Sequence, residues 1–99
     1  MGLTVQVRTF SGQVEATCAH PAILSMCRRA SSLGMPMLGH VDPYDDTVFN
    51  RAQMRAVTPE LAALAAGSPP EVAQAASDVL ALVAQIEEKP HRYLLFNGD

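Results

Sequence analysis

Pro69-Pro70 and Pro90 bracket the segment that most constrains how this chain can fold. Proline is tolerated in the first turn of a helix and ends one that runs into it. Between these prolines Val72, Ala76, Val79, Leu80, Val83 and Ile86 recur at helical spacing. The spacing predicts a helix over 69–88 with one apolar stripe. Ser68 and Glu71, three apart, read as a capping box at its start. A helix of this kind must lay its stripe on a second apolar layer, so the next question is where that layer lies.

The two ends of the chain supply it. Leu3, Val5 and Val7 alternate with Thr4, Gln6 and Arg8, the period of a half-buried strand. Ser11-Gly12 is a turn signal, and 13–18 alternate again, which predicts a hairpin. His91-Arg92-Tyr93-Leu94-Leu95-Phe96, closed by Asn97-Gly98-Asp99, reads as another strand. An apolar strand so near the carboxy terminus is expected to be pinned inside a sheet beside residues 3–10.

Between these layers the signals are local. Pro21 suits the first position of a helix carrying Ile23, Leu24, Met26, Cys27 and Ala30, with Gly34 as its left-handed cap. Residues 35–39 are too short and proline-limited for more than an edge strand or an extended connection. Asp42 to Asp46 read as a turn around Pro43. Thr47-Val48-Phe49 fit either a short extended piece or a helical turn capped by Asp46. Thr58-Pro59-Glu60 predict a helix start, with Leu61, Leu64 and Ala65 as its stripe and Gly67 as its end. The fold class that follows is α+β: a small, mainly antiparallel sheet from an N-terminal hairpin and a C-terminal strand, with two to three helices on one face.

With 99 residues the chain is expected to form a single domain, and 48% apolar against 17% charged residues is enough to build one core. Net charge −3 and the absence of a basic stretch beyond Arg28-Arg29 argue against nucleic acid as a partner. No run approaches the roughly 18 apolar residues of a membrane span. The amino terminus lacks a signal-peptide pattern, and Gln6 stands where a myristoylation start, suggested by Met1-Gly2, wants Ser or Thr. Cys18 and Cys27 in apolar surroundings read as reduced thiols of a cytoplasmic protein, not as a disulfide.

Polar chemistry concentrates in His40-Val41-Asp42-Pro43-Tyr44-Asp45-Asp46-Thr47-Val48-Phe49-Asn50. His40, Asp42 and His91 formally supply two imidazoles and a carboxylate, the ligand types of a metal centre. Against that, three histidines in so short a chain meet such a loose pattern by chance, and iron oxygenases need a larger β-helix. The Asp42, Asp45 and Asp46 spacing, interrupted by Pro43, does not match a calcium loop. No nucleophile elbow, phosphate loop or dinucleotide-binding glycine pattern is present, so no catalytic residue and no cofactor is assigned. Arg28-Arg29 and Glu87-Glu88 read as solvated helix faces.

Residues 42–50 and 91–99 together are similar to a group of short bacterial proteins of unassigned function. These carry a D-P-Y-G-D-T-V-F-N turn and close on an H-x-Y-L-x-F-x-G-D strand. Asp45 stands where that pattern has glycine. The resemblance implies a bacterial, cytoplasmic, single-domain protein and lends no activity. A staple reading fits both segments: Tyr44 and Phe49 bury their rings, while Asp42, Asp46 and Asn50 bond backbone at the turn.

Three functions stay open. The first is a non-catalytic protein-interaction module of inhibitor or immunity type that presents Asp42, Tyr44, Asp45, Asp46 and Asn50 to a protein partner. The second is a small metal protein or enzyme using His40, Asp42 and His91. The third is a homodimer or accessory subunit joined through a sheet edge or the alanine-rich helices.

Overall fold

The computed structural model describes residues 3–98; Met1-Gly2 and the closing Asp99 lie outside the described residues. Strand β1 (Thr4–Thr9) turns at Gly12, whose φ of +93° only glycine adopts without strain, into β2 (Val14–Cys18). Helix α1 (Ile23–Ser32), a short 3₁₀ turn (Leu38–His40), β3 (Thr47–Phe49), α2 (Met54–Gly67), α3 (Pro70–Glu88) and β4 (Arg92–Asn97) follow. The sheet runs β2-β1-β4-β3 and is antiparallel throughout. The α+β class with helices against an antiparallel sheet is therefore as the sequence predicts.

β4 lies beside β1 from Thr4↔Asn97 to Thr9↔Arg92, and it also pairs with β3 from Thr47↔Phe96 to Phe49↔Leu94. This register turns Val5, Val7, Leu94, Phe96 and Phe49 toward the helices, where they join Ile23, Met26, Leu61, Leu64, Val79, Val83 and Ile86 in one core. Phe49 meets Phe96 edge to face at 5.8 Å, a geometry that adds about 0.5–1.5 kcal/mol to the burial itself. Within the alanine-rich stretches Ala75 and Ala76 are fully buried where α3 packs along α2, whereas Ala62, Ala63 and Ala66 stay exposed.

Four local expectations are corrected. Pro21 precedes α1 and does not open it; the His20 imidazole Nδ1 accepts the Ala22 N–H at 3.0 Å just before the first turn. Residues 38–40 form a 3₁₀ turn where an extended connection was expected. Helix α2 begins before Thr58, leaving Pro59 in its interior. Just ahead of Met54 residues 51–53 turn, and Asn50 and Gln53 bond each other reciprocally in the manner of a capping box: the Gln53 N–H donates to Asn50 Oδ1 at 2.9 Å, and the Asn50 N–H donates to Gln53 Oε1 at 2.8 Å. The Ser68–Glu71 box, in contrast, does not form. Ser68 Oγ accepts from Arg29 Nε at 2.8 Å, and Arg29 Nη2 caps the Gly67 carbonyl at 2.8 Å, so α1 is clamped to the α2–α3 joint. The Gly34 cap forms as expected, with φ +72° and the Gly34→Ser31 and Met35→Ala30 backbone bonds of a Schellman motif.

Glu60, only 9% exposed, connects α2 to the loop ahead of the polar run. Its carboxylate accepts the Leu38 N–H at 2.8 Å and the Met37 N–H at 3.1 Å. These donors open the 3₁₀ turn and would otherwise be orphaned in the interior. Glu60→Gln keeps the shape but loses one acceptor oxygen and the charge, so urea unfolding should show a loss of about 1.5–3 kcal/mol, with Glu60→Ala losing more.

Candidate functional site

The polar run becomes a braced turn. The Asp42 N–H donates to Thr47 Oγ1 at 3.0 Å, closing the turn across its mouth. Asp42 Oδ1 accepts the Tyr44 N–H at 2.8 Å, and Asp45 Oδ1 accepts the Asp46 N–H at 2.8 Å. Short acidic side chains thus satisfy backbone donors that no regular element reaches. Thr47–Phe49 continue as strand, and Asp46 caps no helix.

The turn is also docked from outside. The Gly98 N–H donates to the Asp45 carbonyl at 3.2 Å. A Cβ placed on Gly98 would stand 2.7 Å from the Pro43 carbonyl oxygen and 2.6 Å from that of Asp45, both rigid backbone. Glycine is needed here for close approach, and that contact joins the two segments that the resemblance linked only by sequence.

The staple reading holds for Phe49, which is buried, and fails for Tyr44, whose residue surface is 77% exposed. Asp42, Asp45 and Asp46 are exposed beside it. Asn50 is exposed too, but its side-chain oxygen is committed to the α2 capping box, so it serves the fold. That box was legible as the Asn50-x-x-Gln53 pattern.

The proposed metal ligands are not brought together. His40 ends the 3₁₀ turn on the approach to Asp42, whereas His91 stands before β4, at the end opposite Gly98. A six-residue strand separates those ends by roughly 20 Å. Among the described residues no three His, Cys, Asp or Glu side chains form a group able to hold a metal. His91 instead takes φ +58°, a conformation histidine tolerates better than most residues, and its ring meets Phe10 edge-on at 5.2 Å.

Charge elsewhere is structural. Arg92 makes a two-pronged ion pair with Glu15 of β2, Nη2 reaching Oε2 at 3.0 Å, and also donates to the Pro90 carbonyl at 2.7 Å. The Arg92 hydrogen bond holds the Glu15 carboxyl below its ordinary value. Cys18 and Cys27 are free thiols; burial pushes Cys27 up to about 12, which makes it a poor nucleophile. Two features had no sequence signal. Phe10, Val14 and Val48 stay exposed on the sheet face away from the helices, flanking Tyr93. A cleft also opens between the start of α2 and the end of α3.

No family model, curated protein or solved structure matches the chain.

Two outcomes follow. Gly98→Ala should cost about 1–3 kcal/mol through backbone crowding, and amide exchange at 42–47 should rise more than in β1 or α3. A folded pKa depressed by pairing contributes stability that is present above the unfolded value and lost as pH falls through the folded one. Wild type should therefore exceed Glu15→Gln in urea midpoint at neutral pH and low salt, with the gap closing as pH drops below 4.5 and as salt rises.

Proposed function

We propose that this protein is a small non-catalytic interaction module, of inhibitor or immunity type, that docks its 42–46 turn on a protein partner. One observation carries the reading: Tyr44 is presented to solvent on a turn immobilised by its own hydrogen bonds and by Gly98. A ring held out on rigid backbone loses little entropy when it enters a partner's pocket, and tyrosine is a favoured anchor there. The flanking Asp42, Asp45 and Asp46 favour a basic surface and fast, salt-sensitive association. A bacterial cytoplasm is the proposed setting, in keeping with two free thiols and with the lack, among the described residues, of any helix long and apolar enough to cross a membrane.

A second reading rests on a different surface. Phe10, 70% exposed, with Val14 toward one edge of the sheet and Val48 on the other, leaves the sheet face away from the helices partly apolar, which suits a homodimer or an accessory subunit.

The test is native mass spectrometry of tagged protein from its own host, with variants. The interaction module predicts a protein co-eluting at fixed stoichiometry that is lost in Tyr44→Ala and Asp45→Lys, both still folded by circular dichroism. A partner retained by both variants, or a homodimer abolished by Phe10→Ser, would refute it.

A further inference from the structure

A third surface, distinct from the turn and from the sheet face, lies past the strand that follows the turn. The first turns of α2 and the last turn of α3 frame an open cleft of about 600 Å³, with Arg51 and Arg55 on its wall and Ala52 and Pro59 among its lining. We propose that this cleft binds a small molecule through one phosphate group, held between Arg51 and Arg55, with its organic part over Ala52 and Pro59.

The arginines are the reason. Arg51 Nη2 donates to the Glu87 carbonyl at 3.1 Å, which fixes the guanidinium at the rim and leaves its other N–H groups free. Arg55, one helical turn further, donates to no protein acceptor through its side chain, and neither guanidinium pairs with a carboxylate, among the described residues. Two planar forks on one wall match the three oxygens of a phosphate; a carboxylate occupies only one fork. Thr58 lines the same cleft, but its hydroxyl is enclosed by protein, so the arginines are the polar groups that a ligand there would meet. Glu87 contributes to the facing wall and brings one negative charge to the cleft's surroundings, so the net positive charge there suits one phosphate better than a chain of them.

The Asn50–Gln53 box and the interior Pro59 gain a role from this site. Starting α2 early places Arg51 and Arg55 beside the end of α3, and Pro59 makes part of the apolar lining. The site is independent of the turn, so it stands or falls separately from the interaction reading.

Amide NMR titrations with inorganic phosphate, phenyl phosphate and acetate at constant ionic strength test it. Saturable shifts centred on 51–58 are expected for both phosphates, tighter for phenyl phosphate, with Kd on the order of 1 mM or below. Arg51→Gln/Arg55→Gln should weaken both by about tenfold or more while the protein stays folded. If the double variant unfolds, Arg55→Gln alone gives the same test, because that side chain holds nothing else in place. Absence of saturable binding, undiminished binding in a folded variant, or acetate binding as tightly as phosphate would each overturn the proposal.

Discussion

Strand β4 makes ladders along both of its edges, to β1 over six residue pairs and to β3 over three. Over Leu94–Phe96 it has a strand on both sides, and these three successive residues are all buried, so the strand reads as a continuous apolar run and not as an alternating one. Most of the rest depends on that position. The hairpin of β1 and β2 gains a neighbour, β3 gains its one partner strand among the described residues, and the two ends of β4 become two different places. One end carries Gly98 and the acidic turn; the other carries His91, Phe10 and the Arg92–Glu15 pair.

The helical layer is tied to this sheet by apolar packing and to itself by two buried or half-buried polar side chains. Arg29 satisfies the end of α2 and takes Ser68, and Glu60 satisfies the loop that leads into the turn. Each replaces a cap that the local sequence does not provide. The consequence for function is rigidity. The segment from Met37 to Phe49 has little regular structure, yet side-chain acceptors bind it at both ends and Gly98 braces it in the middle. A surface built this way can present Tyr44 without first having to order it. Charge is also sorted along this stretch, with carboxylates before β3 and the two guanidinium groups after it.

Some of this was legible in the residues. Strand β4 could be read from its aromatic, apolar run, and its place beside β1 from the need to bury that run. Phe49 could be read as core, although not by which neighbour: only the ladder to Leu94 and the edge contact with Phe96 decide that three residues become strand and not a helical turn. The Ser68–Glu71 box read from the sequence did not form, whereas the Asn50–Gln53 pair, not read there, did. Asn50–Gln53 meets no competitor, whereas Ser68 is claimed by an arginine that lies 39 residues away in the chain. Tyr44 was read both as a buried staple and as a contact residue; it stays 77% exposed, while Gly98 packs against the turn's backbone at Pro43 and Asp45.

By itself, then, the sequence determined the β1–β2 hairpin, the Gly34 cap, helix α3 and the α+β class, since periodicity, glycine's freedom at positive φ and proline's missing donor act within a few residues. Only the tertiary structure decided that β3 is a strand, that Gly98 seats the acidic turn, that His91 stands a strand's length from Asp42, and that Arg51 and Arg55 share a cleft with Glu87. The physical reason is range: pairing, close approach and enclosure depend on groups far apart in the chain, whose meeting no local pattern records.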